Sequence, residues 1–408
     1  MERILVLGAG FAGLWAAVGA ARKLAECGPT TSAVEILVVN ARPFHSIRVR
    51  NYELDGAGTA IPLAEVLDPI GVRWIEARVT DIDVDQHCVT LVNGKAEQRL
   101  TYARLVMALG STLARPPLPG LKEYGFDVDT CEGADKLYRH LQALPKLTPS
   151  PGRYTAAVIG AGLTGAEITA ELPSRLAAVA REDEPVRVIL MDHSPRIAHA
   201  LGEAQPVIAK AMQALHVELR PGVKVIRISD AGVTLESGEQ IPAATVVWCA
   251  GMHATALTAK FPVEHDALGR LPVDDCLRVR GVPDVYAAGD CATFPIDGQN
   301  PPMMSCQYSR PMGRYAGYNV AAELLGEAPK PLRIDWYTTI VDLGPWGAVY
   351  TRGRERRLVA EGARAKRTKR LINCERIVPP RSGKREEILR AAAPEVQAPP
   401  PENVAAPA

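Results

Sequence analysis

The chain has 408 residues, 47% of them hydrophobic and 23% charged, the composition of an ordinary globular protein with room for two or three domains. A formal net charge of +1 excludes a global attraction to nucleic acid or to acidic partners. The eight cysteines are never closer than fifteen residues, which excludes a CxxC or CxxxxC redox pair and a compact zinc finger, and which suits a reducing cytoplasm.

Ile4 to Ala21 is an uncharged, mostly apolar run of eighteen residues, long enough to raise a transmembrane or signal-peptide reading. It contains Gly8, Gly10, Gly13 and Gly19, and it follows Met-Glu-Arg rather than a basic segment. A β-turn-α-β unit explains it better. Arg3 to Leu7 (RILVL) reads as a strand buried on both faces of a parallel sheet, and GAGFAG at Gly8 to Gly13 as its tight turn. A helix-compatible stretch runs through Leu14 to Lys23 and stops at Cys27-Gly28-Pro29, before a second apolar strand at Val34 to Val39. Leu105 to Gly110 (LVMALG) is another buried strand ending in glycine, and Pro116, Pro117 and Pro119 mark a crossover between domains.

The first pattern then returns. Thr155 to Ile159 leads into GAGLTG at Gly160 to Gly165, a helix beginning near Ala166, and a strand at Val186 to Met191. Asn40 and Asp192 each stand 27 residues after the third glycine of their unit. One GxGxxG is weak evidence; two in the same frame predict an α/β fold with two Rossmann-like dinucleotide-binding units. Further on, Thr245 to Gly251 (TVVWCAG) and Asp284 to Asp290 (DVYAAGD) are strands that also end in glycine. Arg352 to Arg390 holds fourteen Lys or Arg against five Glu, a balance of +9 that leaves about −8 for the remainder. That segment reads as a solvated, mobile face, or else as a patch for an anionic membrane surface or nucleotide phosphates. The last eighteen residues, rich in Pro and Ala, read as a disordered tail.

The chemistry of a GxGxxG turn is that of its backbone. The first glycine permits the turn, the second lets a pyrophosphate approach, and the third allows helix to pack on strand. Phosphates then meet free N–H groups at a helix N-terminus. Gly8, Gly10, Phe11, Ala12 and Gly13 are the candidates in the first unit, and Gly160, Gly162 and Gly165 in the second. A ribose needs an acceptor at the end of the second strand. Asp192 supplies a carboxylate there and favours NADH over NADPH; Asn40, with Arg42 two residues on, supplies only an amide.

With ALG at Ala108 to Gly110, CAG at Cys249 to Gly251 and YAAGDC at Tyr286 to Cys291, the chain resembles the two-dinucleotide-binding-domain flavoproteins. The resemblance implies FAD at the first unit and NADH at the second. It adds Ala108, Gly110, Gly251, Gly289 and Asp290 to the cofactor-binding residues, with Asp290 on the flavin ribityl chain. It also implies an FAD domain at 1–115 and 250–330, an NAD domain at 116–249, and a segment at 331–390 that covers the flavin or forms a homodimer contact, before the tail at 391–408. VDLGPWGAVYTR at Val341 to Arg352, AKRTKRLIN at Ala365 to Asn373 and the N-terminal GAGFAGLWAA narrow the resemblance to type II NADH:quinone oxidoreductases.

That narrower likeness implies a proton-handling role for Glu167 near the nicotinamide, and a place for Gln307 where quinone meets the flavin. His45 matches a position near the adenosine half of FAD. The second glutamine of the family's pair falls on Pro311, and of the membrane-docking helices only Gly383 to Ala393 remains as a short helix. The expected acceptor is therefore a quinone-like molecule met in the cytoplasm or through weak peripheral membrane contact, with no metal and no nucleic acid. A ferredoxin-type reductase with a protein acceptor, and a slow-turnover redox sensor, are the alternatives. Cys306 with Cys131 could mimic the cysteine pair of sulfide:quinone oxidoreductases, although their spacing offers no support.

Overall fold

The structure, a computed structural model, describes residues 2–28, 34–53, 58–181 and 183–405. Pro29 and residues 406–408 of the tail lie outside the described residues.

Five parallel strands form the first sheet, in the order Val285–Ala287, Arg104–Met107, Glu2–Leu7, Val34–Asn40 and Arg73–Glu76. Leu7 lies level with Val39 on one side and with Met107 on the other. The carboxyl ends of the strands are thus aligned, which brings Gly8, Ala108 and the Gly289-Asp290 turn to one edge. The second sheet repeats the design with Gly125–Phe126, Thr245–Trp248, Thr155–Ile159, Arg187–Met191 and Glu218–Arg220, all parallel. The central strands are buried from Ile4 to Leu7 and from Thr155 to Ile159, which is why they read as continuous apolar runs. The helix expected from about Ala166 begins earlier, at Leu163, directly after the turn.

The helix Phe11–Glu26 lies against the long helix Cys306–Leu324, backbone to backbone. A Cβ on Gly313 would come within 2.2 Å of the Ala12 carbonyl oxygen, and one on Gly317 within 2.0 Å of that of Ala16. Only glycine permits this approach, and it fixes Cys306 and Gln307, at the start of the long helix, beside the first glycine turn.

The described residues also form three three-stranded antiparallel sheets that the sequence did not reveal. They are Arg78–Asp83, Cys88–Asn93 and Ala96–Thr101; Val225–Ser229, Gly232–Leu235 and Gln240–Pro242; and Thr338–Asp342, Ala348–Arg352 and Arg357–Glu361. After the third comes a basic helix, Gly362–Leu371, which runs into a π-helical turn at Ile372–Arg376. The short helix expected over Gly383 to Ala393 spans Arg385–Ala391.

The C-terminal part adds two features to the expectation. The charged residues of the basic segment are mostly exposed, as on a solvated face, but many of them have partners. Lys369 pairs with Glu167 at 2.7 Å, Arg354 with Asp297 at 3.1 Å, Arg381 with Glu65 at 2.7 Å, and Lys366 with Asp342. The Pro/Ala tail has partners as well. Its prolines lack N–H groups, but their carbonyls still accept: Tyr350 Oη donates to Pro400 at 2.9 Å and Thr368 Oγ1 to Pro401 at 3.3 Å. Arg367 Nε donates to the Val404 carbonyl at 2.8 Å, and Arg352 pairs with Glu402 at 2.7 Å. Among the described residues, no helix is long and apolar enough to cross a membrane.

Candidate functional site

The two glycine turns have the same geometry. Gly8 and Gly160 adopt φ of +93° and +102°, the left-handed region that favours glycine. A Cβ on Gly13 would sit 1.9 Å from the Gly8 carbonyl oxygen, and one on Gly165 1.8 Å from that of Gly160, so these third glycines let helix and turn touch. Gly10 and Gly162 differ from both. A Cβ there would meet nothing within 4 Å, and each caps a helix without a side-chain hydrogen bond or an acidic residue in the first turn. Open space over an uncapped helix N-terminus fits a nucleotide pyrophosphate at both turns.

The strand-end residues hold these turns in a way the sequence did not reveal. Asn40 Oδ1 accepts from Ala9 N–H at 2.9 Å, and Asp192 Oδ2 accepts from Ala161 N–H at 2.7 Å. Asn40 Nδ2 also donates to the carbonyls of Arg42 (2.8 Å) and Phe44 (3.2 Å). Asp192 Oδ1 accepts from Ser194 N–H at 2.8 Å. Burial pushes the Asp192 carboxyl up, but the N–H groups of Ala161 and Ser194 outweigh it and hold it below the usual carboxylate range. Arg42 pairs with Glu132 at the surface.

One cavity of about 860 Å³ collects most of the candidates. Gly8, Gly10, Phe11 and Ala12 line it at the first turn, with Asn40 and Arg42 at the strand end. Ala108, Gly110, Gly251, Gly289 and Asp290 line the adjoining edge, and Gln307 stands at the start of the long helix. Gly162 and Glu167 reach the same cavity from the second turn. Gly13, Gly160, Gly165 and Asp192 do not line it; the three glycines serve their turns from beneath, and Asp192 lies behind the second turn.

Asp290 is set up as an acceptor. Ser111 Oγ donates to its Oδ2 at 2.7 Å and Ser309 Oγ to its Oδ1 at 3.1 Å, and Arg48 Nη1 stands 3.8 Å away. Both carboxylate oxygens are thereby oriented and keep lone pairs for a polyol. His45 is fully buried; its Nδ1 is 2.8 Å from the Ala9 carbonyl, and burial takes its pKa down to about 4, so it is neutral at physiological pH. Asp290→Ala is expected to yield protein that purifies with less than about a tenth of its flavin, since a charged acceptor is worth roughly 1.5–3 kcal/mol. Flavin absorbance per chain measures this, and full occupancy would remove Asp290 from the site.

Glu167 belongs to a buried charged network. It is 7% exposed, and its Oε1 accepts from Lys369 Nζ at 2.7 Å and from Asp342 N–H at 3.1 Å. Asp342 in turn accepts from Lys366 and from Tyr52 Oη at 3.2 Å. Burial pushes the Glu167 carboxyl above the usual range, and Lys369 pulls it part of the way back. Burial opposes the charge on Lys369, but Glu167 and Asp342 outweigh that and raise it. Lys369 and Asp342 could not be singled out from the sequence, because Lys369 is 202 residues from Glu167.

Gln307 is fixed by its oxygen. Thr338 donates to Oε1 from Oγ1 at 2.8 Å and from N–H at 3.2 Å, while Nε2 is buried and makes no hydrogen bond among the described residues. Pro311 lies one turn on in the same wall and denies the Gln307 carbonyl its helical N–H. Cys131 and Cys306 both line the cavity. Cys131 Sγ is hydrogen-bonded to Ser46 Oγ at 3.0 Å, and burial pushes the Cys306 thiol up, away from a reactive thiolate.

Two parallel sheets, each with a glycine turn at its carboxyl edge and both turns open to one cavity, define an oxidoreductase with two dinucleotide-binding units. Residues 2–315 match the pyridine nucleotide-disulphide oxidoreductase family, and the chain belongs to it. Members of that family bind FAD and NADH. The chain is 52% identical over 400 residues to an NADH dehydrogenase-like protein of Mycobacterium tuberculosis, covering 97% of this chain and 99% of that one. It is 31% identical over 358 residues to the demethylphylloquinone reductase of Synechocystis sp., covering 85% and 86%. Among solved structures it is similar to NDH2 of Plasmodium falciparum, with a TM-score of 0.76 at 15% identity over 96% of this chain and 97% of that one, a likeness of fold.

Proposed function

We propose that the protein oxidises NADH and reduces a small quinone-like acceptor, with the FAD part at 1–115 and 250–330 and the NAD part at 116–249. The observation that carries this reading is the single cavity onto which Gly10, Gly162, Glu167 and Gln307 all open. Bound there, FAD supplies a hydride acceptor at N5 for NADH and a two-electron donor for the second substrate. The chain supplies position and charge. The open N-termini at Gly10 and Gly162 take the two pyrophosphates, and the oriented carboxylate of Asp290 takes the ribityl hydroxyls.

Asp192 puts negative charge at the end of the strand, where a 2′-phosphate would be repelled by roughly 1–3 kcal/mol in a partly screened site. Overall, NADH gives a hydride and water gives one proton, so a quinone becomes its hydroquinone and NADH becomes NAD⁺. Glu167, whose carboxyl burial pushes above the usual range while Lys369 pulls it part of the way back, is placed to pass that proton at the cavity wall. Gln307, its oxygen pinned by Thr338, has Nε2 to donate to an acceptor carbonyl.

Two considerations support a small acceptor over a protein one. The relatives include proteins named as quinone reductases. Much of the basic segment that could dock an acidic protein is paired within the chain. Contact with an anionic membrane through such a patch would be weak and salt-sensitive.

The test is anaerobic reduction with NADH, and in parallel with NADPH, followed by mixing against soluble quinones, oxygen and ferredoxin. Short-chain quinones should reoxidise the flavin, NADPH should be the poorer donor, and Gln307→Ala should slow reoxidation about tenfold while slowing reduction less. Reoxidation by ferredoxin far faster than by any quinone, with Gln307→Ala silent, would remove the quinone half of the reading.

A further inference from the structure

Three arginines stand in the cavity wall beyond Gln307, and among the described residues no carboxylate pairs with them. Arg310 and Arg314 lie one turn apart on the helix Cys306–Leu324 and share a face. Only 6% and 4% of their surfaces are exposed. Both guanidinium groups lie over the indole of Trp15, with Cζ 5.3 Å and 4.5 Å from the ring centroid, and in both Nε is buried without a hydrogen-bond partner among the described residues. Arg376 reaches the same cavity from the π-helical turn, a feature frequent at functional sites, and donates to the Ala398 carbonyl.

No ion pair among the described residues involves any of the three. Glu395 acts on Arg314 only from beyond pairing distance, Cys306 is a buried thiol held protonated, and His45, the other titratable neighbour of Arg310, is neutral. Guanidinium groups keep their charge, so burial and mutual repulsion both work against this cluster while it stands alone.

The surroundings define what would complete it. Trp336, Ile372, Ile377, Val396 and Pro400 give the cavity apolar walls beside the arginines. The last two belong to the C-terminal strap, which Arg376 ties down at Ala398. An apolar slot with a cationic end fits a flat ring that carries an anionic group, and planar guanidinium forks match a carboxylate. The pyrophosphate of FAD, the other anion of this cavity, already has the open helix N-terminus at Gly10.

We propose that this part of the cavity takes a quinonoid acceptor bearing a carboxylate, with the carboxylate among Arg310, Arg314 and Arg376 and the ring toward Gln307. The proposal rests on the acceptor reading above and narrows it to an anionic class.

It is tested on the holoenzyme with a naphthoquinone carboxylate, with menadione as the uncharged counterpart, and with 2-naphthoate as a redox-inert probe. The wild type should show a KM for the carboxylate about tenfold or more below that for menadione, and Arg310→Gln or Arg314→Gln should bring the ratio toward one. Calorimetry should show 2-naphthoate binding one per chain in the wild type, in competition with the quinone and not with NADH, and binding should be lost in the variants. Equal KM values in the wild type would overturn the proposal even if neither variant folds. Folded variants that cannot retain or regain FAD would overturn it as well, by making the arginines part of the FAD phosphate site. If 2-naphthoate binds as expected but neither quinone is reduced, the anion site stands and the quinone reading falls.

Discussion

Lys369→Met is expected to lower stability by about 3–5 kcal/mol at neutral pH, the usual cost of removing one partner from a buried ion pair. Lys369 is the cation that faces Glu167, and both side chains are only 10% exposed. Without it, the carboxylate keeps the Asp342 N–H but loses its counter-charge, and the nearby Asp342 carboxylate repels it. The pH dependence follows from the directions of the two shifts. Lys369 is raised above 10.5 in the folded state, so its contribution is complete below that value and is lost only as pH climbs through the folded value. Glu167 is raised above 4.5, so the folded state holds this proton more tightly, and stability falls as pH rises from 4.5 toward the folded value.

Removing the lysine raises Glu167 further and extends that fall. The deficit of Lys369→Met should therefore be smallest near pH 4.5 and should grow toward neutrality. Urea unfolding with saturating FAD, at several pH values, measures it. Adding Glu167→Gln should recover much of the loss, because it removes the unpaired charge. A deficit that does not change with pH, or no recovery in the double variant, would mean that the pair is not coupled in this way.

Gly162→Val should leave the flavin in place and raise the KM for NADH about a hundredfold, whereas Gly10→Val should yield protein without flavin. Neither change disturbs the fold greatly. Both glycines have ordinary φ, −75° and −70°, and a Cβ at either meets nothing within 4 Å. The added side chain instead fills the space over the helix N-terminus. Two charge-assisted hydrogen bonds lost there amount to roughly 3–6 kcal/mol, at or above a hundredfold in affinity. The same change at Gly13 or Gly165 would test nothing about binding, because a Cβ there lies within 2 Å of a carbonyl oxygen and breaks the turn itself. Flavin absorbance and steady-state KM are the readouts. An unchanged KM in Gly162→Val would remove NADH from the second turn.

The two turns were legible in the sequence because their steric demands fall on single positions in a short stretch of chain. Gly8 and Gly160 must adopt positive φ, and Gly13 and Gly165 must lack a Cβ, whatever the rest of the protein does. The strands around them were legible for a similar reason, since burial on both faces leaves an apolar run. Asn40 and Asp192 stand at strand ends, where their spacing puts them, but their hydrogen bonds back to Ala9 and Ala161 were not legible, because an oxygen at a strand end carries no mark of which donor it will meet.

Pairings across the chain were decided by the tertiary structure. Glu167 and Lys369 are 202 residues apart and meet because a C-terminal helix packs under the second turn. Arg310 and Arg314 are one turn apart on a helix, and only its packing lays them against Trp15 and the cavity. The basic segment and the Pro/Ala tail look solvated in composition, yet each supplies what the other lacks, donors from arginines and acceptors from carbonyls. The two nucleotide turns and the sheets that carry them can thus be read from the chain, because those are backbone requirements met within a few residues. Which charges pair, which stand unpaired in the cavity among the described residues and where the tail lies follow from packing, because each depends on segments that the chain brings together from far apart.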